Sequence, residues 1–143
     1  MNQSVFIDQT IGRLEKNEEE DHWEAQWQFN GGKPVTVTVD FYEEPEKLPE
    51  QISRFFAMLK DEDAQIRSEI AKRMIKLAND DWNPDENISE QDFANRISLD
   101  GVLLYYPDSN VEVFYEDDDI FAGHAIVAKI DFDGKISEPY LAG

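Results

Sequence analysis

The chain contains no cysteine, so disulfides and thiolate metal sites are excluded. It has only 13 lysines and arginines against 32 aspartates and glutamates, for a net charge of −19. So large an acidic excess repels nucleic-acid phosphates and anionic membrane surfaces and favours encounter with basic partners. No apolar run approaches the roughly 20 residues that span a bilayer. The opening residues, Met-Asn-Gln-Ser-Val-Phe-Ile-Asp, lack the basic patch and apolar stretch of a secretory leader. These absences set the expectation of a cytoplasmic protein that binds neither nucleic acid nor membrane.

Catalytic templates are missing as well. There is no glycine-rich phosphate loop, no His-Glu-x-x-His and no Gly-x-Ser-x-Gly elbow. Neither of the 2 histidines stands beside a serine that it would activate. The sequence therefore favours a non-enzymatic role, and no cofactor or metal is expected.

What is present is core material. The chain carries 9 Phe, 5 Tyr and 3 Trp besides many Val, Ile and Leu. At 143 residues it suits one acidic domain, 1–143. The charge is uneven along it. Residues 1–48 hold 4 basic and 11 acidic side chains, 49–78 hold 6 and 5, and 79–143 hold 3 and 16, so the acid lies on both ends of a nearly neutral middle.

The pattern of apolar residues divides the chain in the same way. Trp23, Ala25, Trp27 and Phe29 alternate with polar residues, as do Val35, Val37, Val39 and Phe41, the period of half-buried strands. Asn30-Gly31-Gly32-Lys33 between them predicts a hairpin turn, and a further strand is expected at Ile11–Lys16, across the acidic Asn17–Asp21 loop. Residues 42–48 read as a connection, and Pro49 suits the first position of a helix. Ile52, Phe55, Phe56 and Leu59 follow helical spacing. Asp61 or Asp63 could cap a second helix, striped by Ile66, Ile70, Met74 and Leu77 and ended by Asn79–Pro84, while Ser89 and Asp92 resemble a capping box for a short third one. Strands return at Gly101–Tyr106, Val111–Glu116, Gly123–Phe132 and Lys135–Leu141. Pro-Asp-Ser-Asn, Asp-Asp-Asp and Asp133-Gly134 turns separate them. The order predicts an α+β fold: an antiparallel sheet with two to three helices inserted between an N-terminal hairpin and a C-terminal meander.

Few residues invite a chemical role. Asp131-Phe132-Asp133-Gly134 lacks the further ligands of a calcium loop and reads as a turn. Asp117-Asp118-Asp119 could offer oxygens to a hard cation, but adjacent side chains diverge, so a solvated loop is expected. By strand parity His124 shares a face with Ile126, Ala128 and Ile130, where a polar group needs a partner; Glu112 and Asp119 are candidates. His22 has the parity of Glu24 and Gln26 and is given no role. Trp82, after the helix end in an acidic segment, could anchor a partner.

Two runs and the chain's close carry a resemblance. They are Leu77-Ala78-Asn79-Asp80-Asp81-Trp82 with Ile88-Ser89-Glu90-Gln91-Asp92-Phe93, then Asp117-Asp118-Asp119-Ile120-Phe121-Ala122-Gly123-His124-Ala125-Ile126, and the closing Leu141-Ala142-Gly143. With Gly12, Trp23, Gly32 and Val35-Thr36-Val37 they resemble the bacterial domain-of-unknown-function family numbered 2262 across nearly the whole chain. The Phe-x-Gly-His element is the most specific part; Ala122 departs from the pattern, where an aromatic residue is expected. The resemblance implies a bacterial protein of mostly single-domain build and supplies no catalytic residues.

Three functional expectations follow. The first is a protein-binding module for a basic partner, by analogy of the kind that includes immunity proteins. Its contacts would be the acidic turns, with Glu18, Glu19, Glu20, Asp80, Asp81, Trp82, Asp117 and Asp118. The second is a small-ligand or enzymatic site formed by His124, Glu112, Asp119 and Phe121. The third is an acidic mimic of nucleic acid, which needs carboxylates in regular rows on one face.

Overall fold

The computed structural model describes residues 5–29, 33–40, 49–105 and 110–143. Expectations for the Asn30–Gly32 part of the first hairpin turn, for Phe41, for the 42–48 connection, for Tyr106 and for the Pro107–Ser109 turn lie outside the described residues. Among those described, the chain forms eight strands, two α-helices and a π-helical turn. The strands are β1 (Val5–Asp8), β2 (Gly12–Asn17), β3 (His22–Trp27), β4 (Val35–Asp40), β5 (Ser98–Tyr105), β6 (Asn110–Glu116), β7 (Ala125–Asp131) and β8 (Tyr140–Ala142). The helices are α1 (Glu50–Leu77) and α2 (Glu90–Arg96), and the π-helical turn Ala78–Trp82 continues directly from α1.

The strands make one sheet in sequence order, β1 to β8. All neighbours are antiparallel except β4 and β5, which pair in parallel, with Val37 opposite Val102 and Val39 opposite Leu104. The expected purely antiparallel sheet is thus corrected to a mixed one in an α+β fold. The reason lies in the connection: two-residue hairpins can only reverse a strand, whereas a helical excursion is long enough to carry the chain back to the starting end.

Side-chain alternation decides which face is covered. Trp23, Ala25 and Trp27, Val35, Val37 and Val39, Val111, Val113 and Tyr115, and Ile126, Ala128 and Ile130 are all buried. They meet Ile52, Phe55, Phe56, Leu59, Ile66 and Ile70 of α1. Edge-to-face rings fix the crossing, with Trp27 and Phe56 centroids 5.5 Å apart and Phe55 and Phe132 6.1 Å apart. The other face carries Gln26, Thr36, Thr38, Leu103, Glu112, Phe114 and Lys129 by the same alternation; no helix among the described residues packs on it.

One helix expectation needs correction: Pro49 is the N-cap rather than the first helical residue. The two helices expected across residues 49–78 are present as two helical halves of α1 that meet directly across a kink at Glu62 (φ −110°, ψ 15°), without a loop between them. Asp63 does not cap anything. It is buried and accepts hydrogen bonds from Arg67 Nε at 2.8 Å and from the Tyr115 hydroxyl at 3.1 Å. Arg67 also donates to the Ala94 carbonyl at 2.7 Å, tying α2 to α1. Ser89 caps α2 as its sequence predicts, accepting the Asp92 amide at 3.0 Å.

The strand map also gains β1, which the sequence pattern did not reveal. Its Asp8 is buried, accepts the amides of Thr10 and Ile11, and accepts the Ser53 hydroxyl at 2.6 Å, which fastens the edge hairpin to α1. The last strand is shorter than expected. Ile136 makes only an isolated bridge to Ile130, and regular pairing is limited to Tyr140–Ala142.

Candidate functional site

The residues that the sequence singles out near positions 80 and 120 meet at one end of the sheet. The connection between β6 and β7 is organised by Asp117, which is only 3% exposed. Its Oδ2 accepts the amides of Phe121 (2.8 Å) and Gly123 (3.0 Å), and its Oδ1 accepts that of Asp119 (3.2 Å). Wrapping amides round one carboxylate forces the backbone into a tight coil, and Asp118, Asp119, Ala122 and Gly123 all take positive φ. Three of these four are not glycine, so the loop stores conformational strain that its hydrogen bonds must offset. The solvated loop expected at 117–119 is therefore half wrong: Asp118 and Asp119 face outward, but Asp117 is turned inward as an acceptor.

The loop is pinned from outside as well. Arg96, at the end of α2, bonds both the Asp118 carboxylate (3.0 Å) and its carbonyl (2.7 Å). Asn83 Nδ2 donates to the Ile120 carbonyl (2.9 Å) and to the Ala78 carbonyl (3.1 Å), joining the loop to the π-helical turn. Such turns recur at functional positions because they re-aim side chains out of the α-helical path. Here the re-aimed side chain is Trp82.

Trp82 remains 37% exposed although its ring is held on two sides. Phe121 lies edge-to-face with it at 5.7 Å, and His124 does so at 5.5 Å. Phe121 itself is fully buried and packs on Phe93 at 5.9 Å, so it supports the tryptophan from within the core. His124 is half-buried, precedes β7 rather than belonging to it, and donates its amide to the Phe121 carbonyl at 3.2 Å. Gly123, at φ +91°, lifts it out of the strand alternation that would have aimed it into the core. Asp80, Asp81 and Asp119 are exposed close in sequence to this aromatic group.

Glu112 is not part of the arrangement. It pairs with Lys129 on β7, three residues up the ladder from the Tyr115–Ile126 pair, or roughly 10 Å at the usual rise per residue. His124 lies beyond the other end of that ladder, so the expected His124–Glu112 partnership does not form. Glu18, Glu19 and Glu20 are also elsewhere. Their turn joins β2 to β3 at the end of the sheet opposite the Asp117 loop, since β6 runs away from that end. Asn17 closes that turn through its side chain, accepting the amides of Glu19 and Glu20 at 3.1 Å each. The acidic turns consequently form separate patches rather than one row.

His22, which the sequence pattern passes over, makes a close side-chain contact with a carboxylate. Its Nε2 lies 2.7 Å from Glu24 Oε1, on the face of the sheet away from the helices. That contact, with the Asn17 amide, draws the Glu24 carboxyl below its ordinary 4.5. Among the described residues no group of three or more His, Asp or Glu side chains is arranged to hold a metal ion. No helix among them is long and apolar enough to cross a membrane.

A mixed sheet with helices on one face, ending in a strained acidic loop around an exposed tryptophan, defines a small α+β protein of bacterial type once the chain is compared with known families. It belongs to DUF2262, described as an uncharacterized protein conserved in bacteria, whose family model matches residues 8–140. No curated protein and no solved structure matches it.

Proposed function

We propose that this protein is a non-enzymatic protein-binding module that engages a basic partner through Trp82. One observation carries the reading: Trp82 is more than a third exposed while Phe121 and His124 hold its ring in place. An exposed aromatic that is already immobile loses little entropy on binding, which is the property of an interface anchor. Asp80 and Asp81 precede it in the same π-helical turn, Asp119 lies exposed in the loop that carries Phe121 and His124, and the whole chain carries −19. That field accelerates encounter with a cationic surface and favours an arginine or lysine against the indole.

The test is affinity capture from the bacterial host with wild type and Trp82→Ala, washed over a salt series. The expected result is a basic protein retained by wild type, released progressively by salt and lost from Trp82→Ala while the variant keeps its fold. Capture that Trp82→Ala leaves unchanged would rule out the tryptophan as the anchor.

A further inference from the structure

Among the described residues, the large apolar side chains that reach solvent are unevenly placed. Ile7, Tyr105 and Tyr140 stand singly on three different strands, whereas Leu77 and Trp82 share one helical end and are each 37% exposed. The stripe of Ile66, Ile70 and Met74 is buried, but Leu77, which continues its spacing, is open. The π-helical turn explains why these two belong together. Along an α-helix, residues five apart point about 140° away from each other at about 100° per residue. Across Ala78–Trp82 the backbone bonds reach back five residues, as the Asn83 amide does to the Ala78 carbonyl at 2.8 Å. Five residues then complete roughly one turn, and Trp82 is brought round toward the side of Leu77.

Two asparagines fix this end. Asn79 donates to the Ile88 carbonyl at 2.9 Å and accepts the Ile88 amide at 2.8 Å, while Asn83 holds the Ala78 and Ile120 carbonyls. A surface braced in this way gives up little freedom when it is covered. Charge selects what covers it. Residues 77–95 contain six carboxylates, Asp80, Asp81, Asp85, Glu86, Glu90 and Asp92, and no lysine or arginine. The nearest cations in the chain are Lys76, beside Leu77, and Arg96, which is engaged by Asp118. A second copy of so acidic a chain is repelled here, and a cationic surface is attracted. We infer that Leu77 and Trp82 form one seat, which takes an apolar side chain from a lysine- or arginine-rich segment of a partner protein. This rests on the Trp82 reading and narrows it: charge alone does not suffice, because Leu77 requires the partner to bring an apolar residue.

Two synthetic peptides of equal charge test it, a lysine–glycine chain interrupted by leucines and the same chain with serine in place of each leucine. Both are titrated calorimetrically into wild type, Leu77→Ser and Trp82→Ala, with thermal melts to confirm each fold. Wild type is expected to bind the leucine peptide about tenfold more tightly than the serine peptide, and both less tightly as salt rises. Leu77→Ser should bring the two peptides to within about twofold of each other. If melts show Leu77→Ser to be damaged, Leu77→Gln, which keeps a good helix former, replaces it. If Trp82→Ala abolishes the leucine preference and the Leu77 variant leaves it whole, the tryptophan anchor stands and the shared seat is overturned. If neither substitution alters it, both fall. A wild-type chain that binds the two peptides equally, or binds neither, also overturns the inference.

Discussion

Asp117 Oδ2 accepts the amide of Gly123, six residues ahead, at 3.0 Å, and this bond closes the loop that carries His124 to the Trp82 ring. The same oxygen takes the Phe121 amide, so both of its acceptor positions are used by donors that cannot turn away. Asp117→Asn keeps the shape but replaces one oxygen with an NH2 group, which faces amide hydrogens whichever way the side chain is flipped. The expected loss is about 1–3 kcal/mol, from donors left unsatisfied in a buried place. Chemical denaturation measures it. Near-UV circular dichroism should change with it, because Trp82 loses its fixed neighbour.

Arg96→Gln removes a contact to the same loop and should behave differently. The Arg96 and Asp118 side chains are 34% and 62% exposed, so water already screens the pair. The expected cost is about 0–1 kcal/mol. Equal losses for Arg96→Gln and Asp117→Asn would mean that the loop is held from outside rather than by its buried carboxylate.

The contrast between these two aspartates also marks the limit of what the sequence discloses. Alternation at Trp23–Phe29 and Val35–Val39 announces strands because a sheet with one covered face imposes that period. Ser89 announces α2 because capping is local. Nothing local separates Asp117 from Asp118, however, since the difference is made by amides up to six residues away. The Asp63–Tyr115 bond spans 52 residues and the Trp82–His124 contact 42, and each depends on how α1 crosses the sheet. The parallel β4–β5 pair escapes the pattern for the same reason, since strand direction is set by the connection.

The Tyr115 hydroxyl gives a pH dependence with a definite sign. Burial first, and then the neighbouring Asp63 carboxylate, push its pKa well above the usual 10.0. A raised folded-state value means that above pH 10 the unfolded chain gives up this proton while the folded chain keeps it. The associated stability is therefore complete below about pH 10 and declines as pH rises further. Denaturation from pH 8 to 12 should show wild type losing stability more steeply than Tyr115→Phe. At neutral pH the order is reversed, with Tyr115→Phe weaker by about 1–2 kcal/mol for the lost hydrogen bond to Asp63.

On the face of the sheet away from the helices, the His22–Glu24 contact predicts a shift that opposes the usual neglect of surface pairs. The hydrogen bond from His22 is the first cause of the lowered Glu24 pKa, with that from Asn17 second. In His22→Gln the Glu24 carboxyl should rise toward 4.5, read by carboxyl-carbon NMR titration. A depressed carboxylate contributes stability above its unfolded pKa and loses it as pH falls, so His22→Gln should flatten the acid limb of the stability curve. An unchanged Glu24 titration would show that the pair does not persist in solution.

Two glycines make opposite predictions that together test the backbone description of the site. Gly101 lies on β5 without a positive φ, and an added Cβ would stand 3.5 Å from the Thr36 carbonyl oxygen and 3.7 Å from the Phe114 ring, ordinary contacts. Gly101→Ala should leave the fold about 0.4–1 kcal/mol more stable by restricting the unfolded chain. Gly123 has open space around its Cα but a φ of +91°. There the barrier is conformational rather than steric crowding by neighbours, so Gly123→Ala should cost about 1–2 kcal/mol. It should also disturb His124 against Trp82, because relaxing that φ turns the next residue back toward strand alternation. Chemical denaturation of the two variants, paired with Trp82 fluorescence, checks both signs. A stabilising Gly123→Ala with an unaltered tryptophan signal would mean that the left-handed turn before His124 is not the conformation the loop holds.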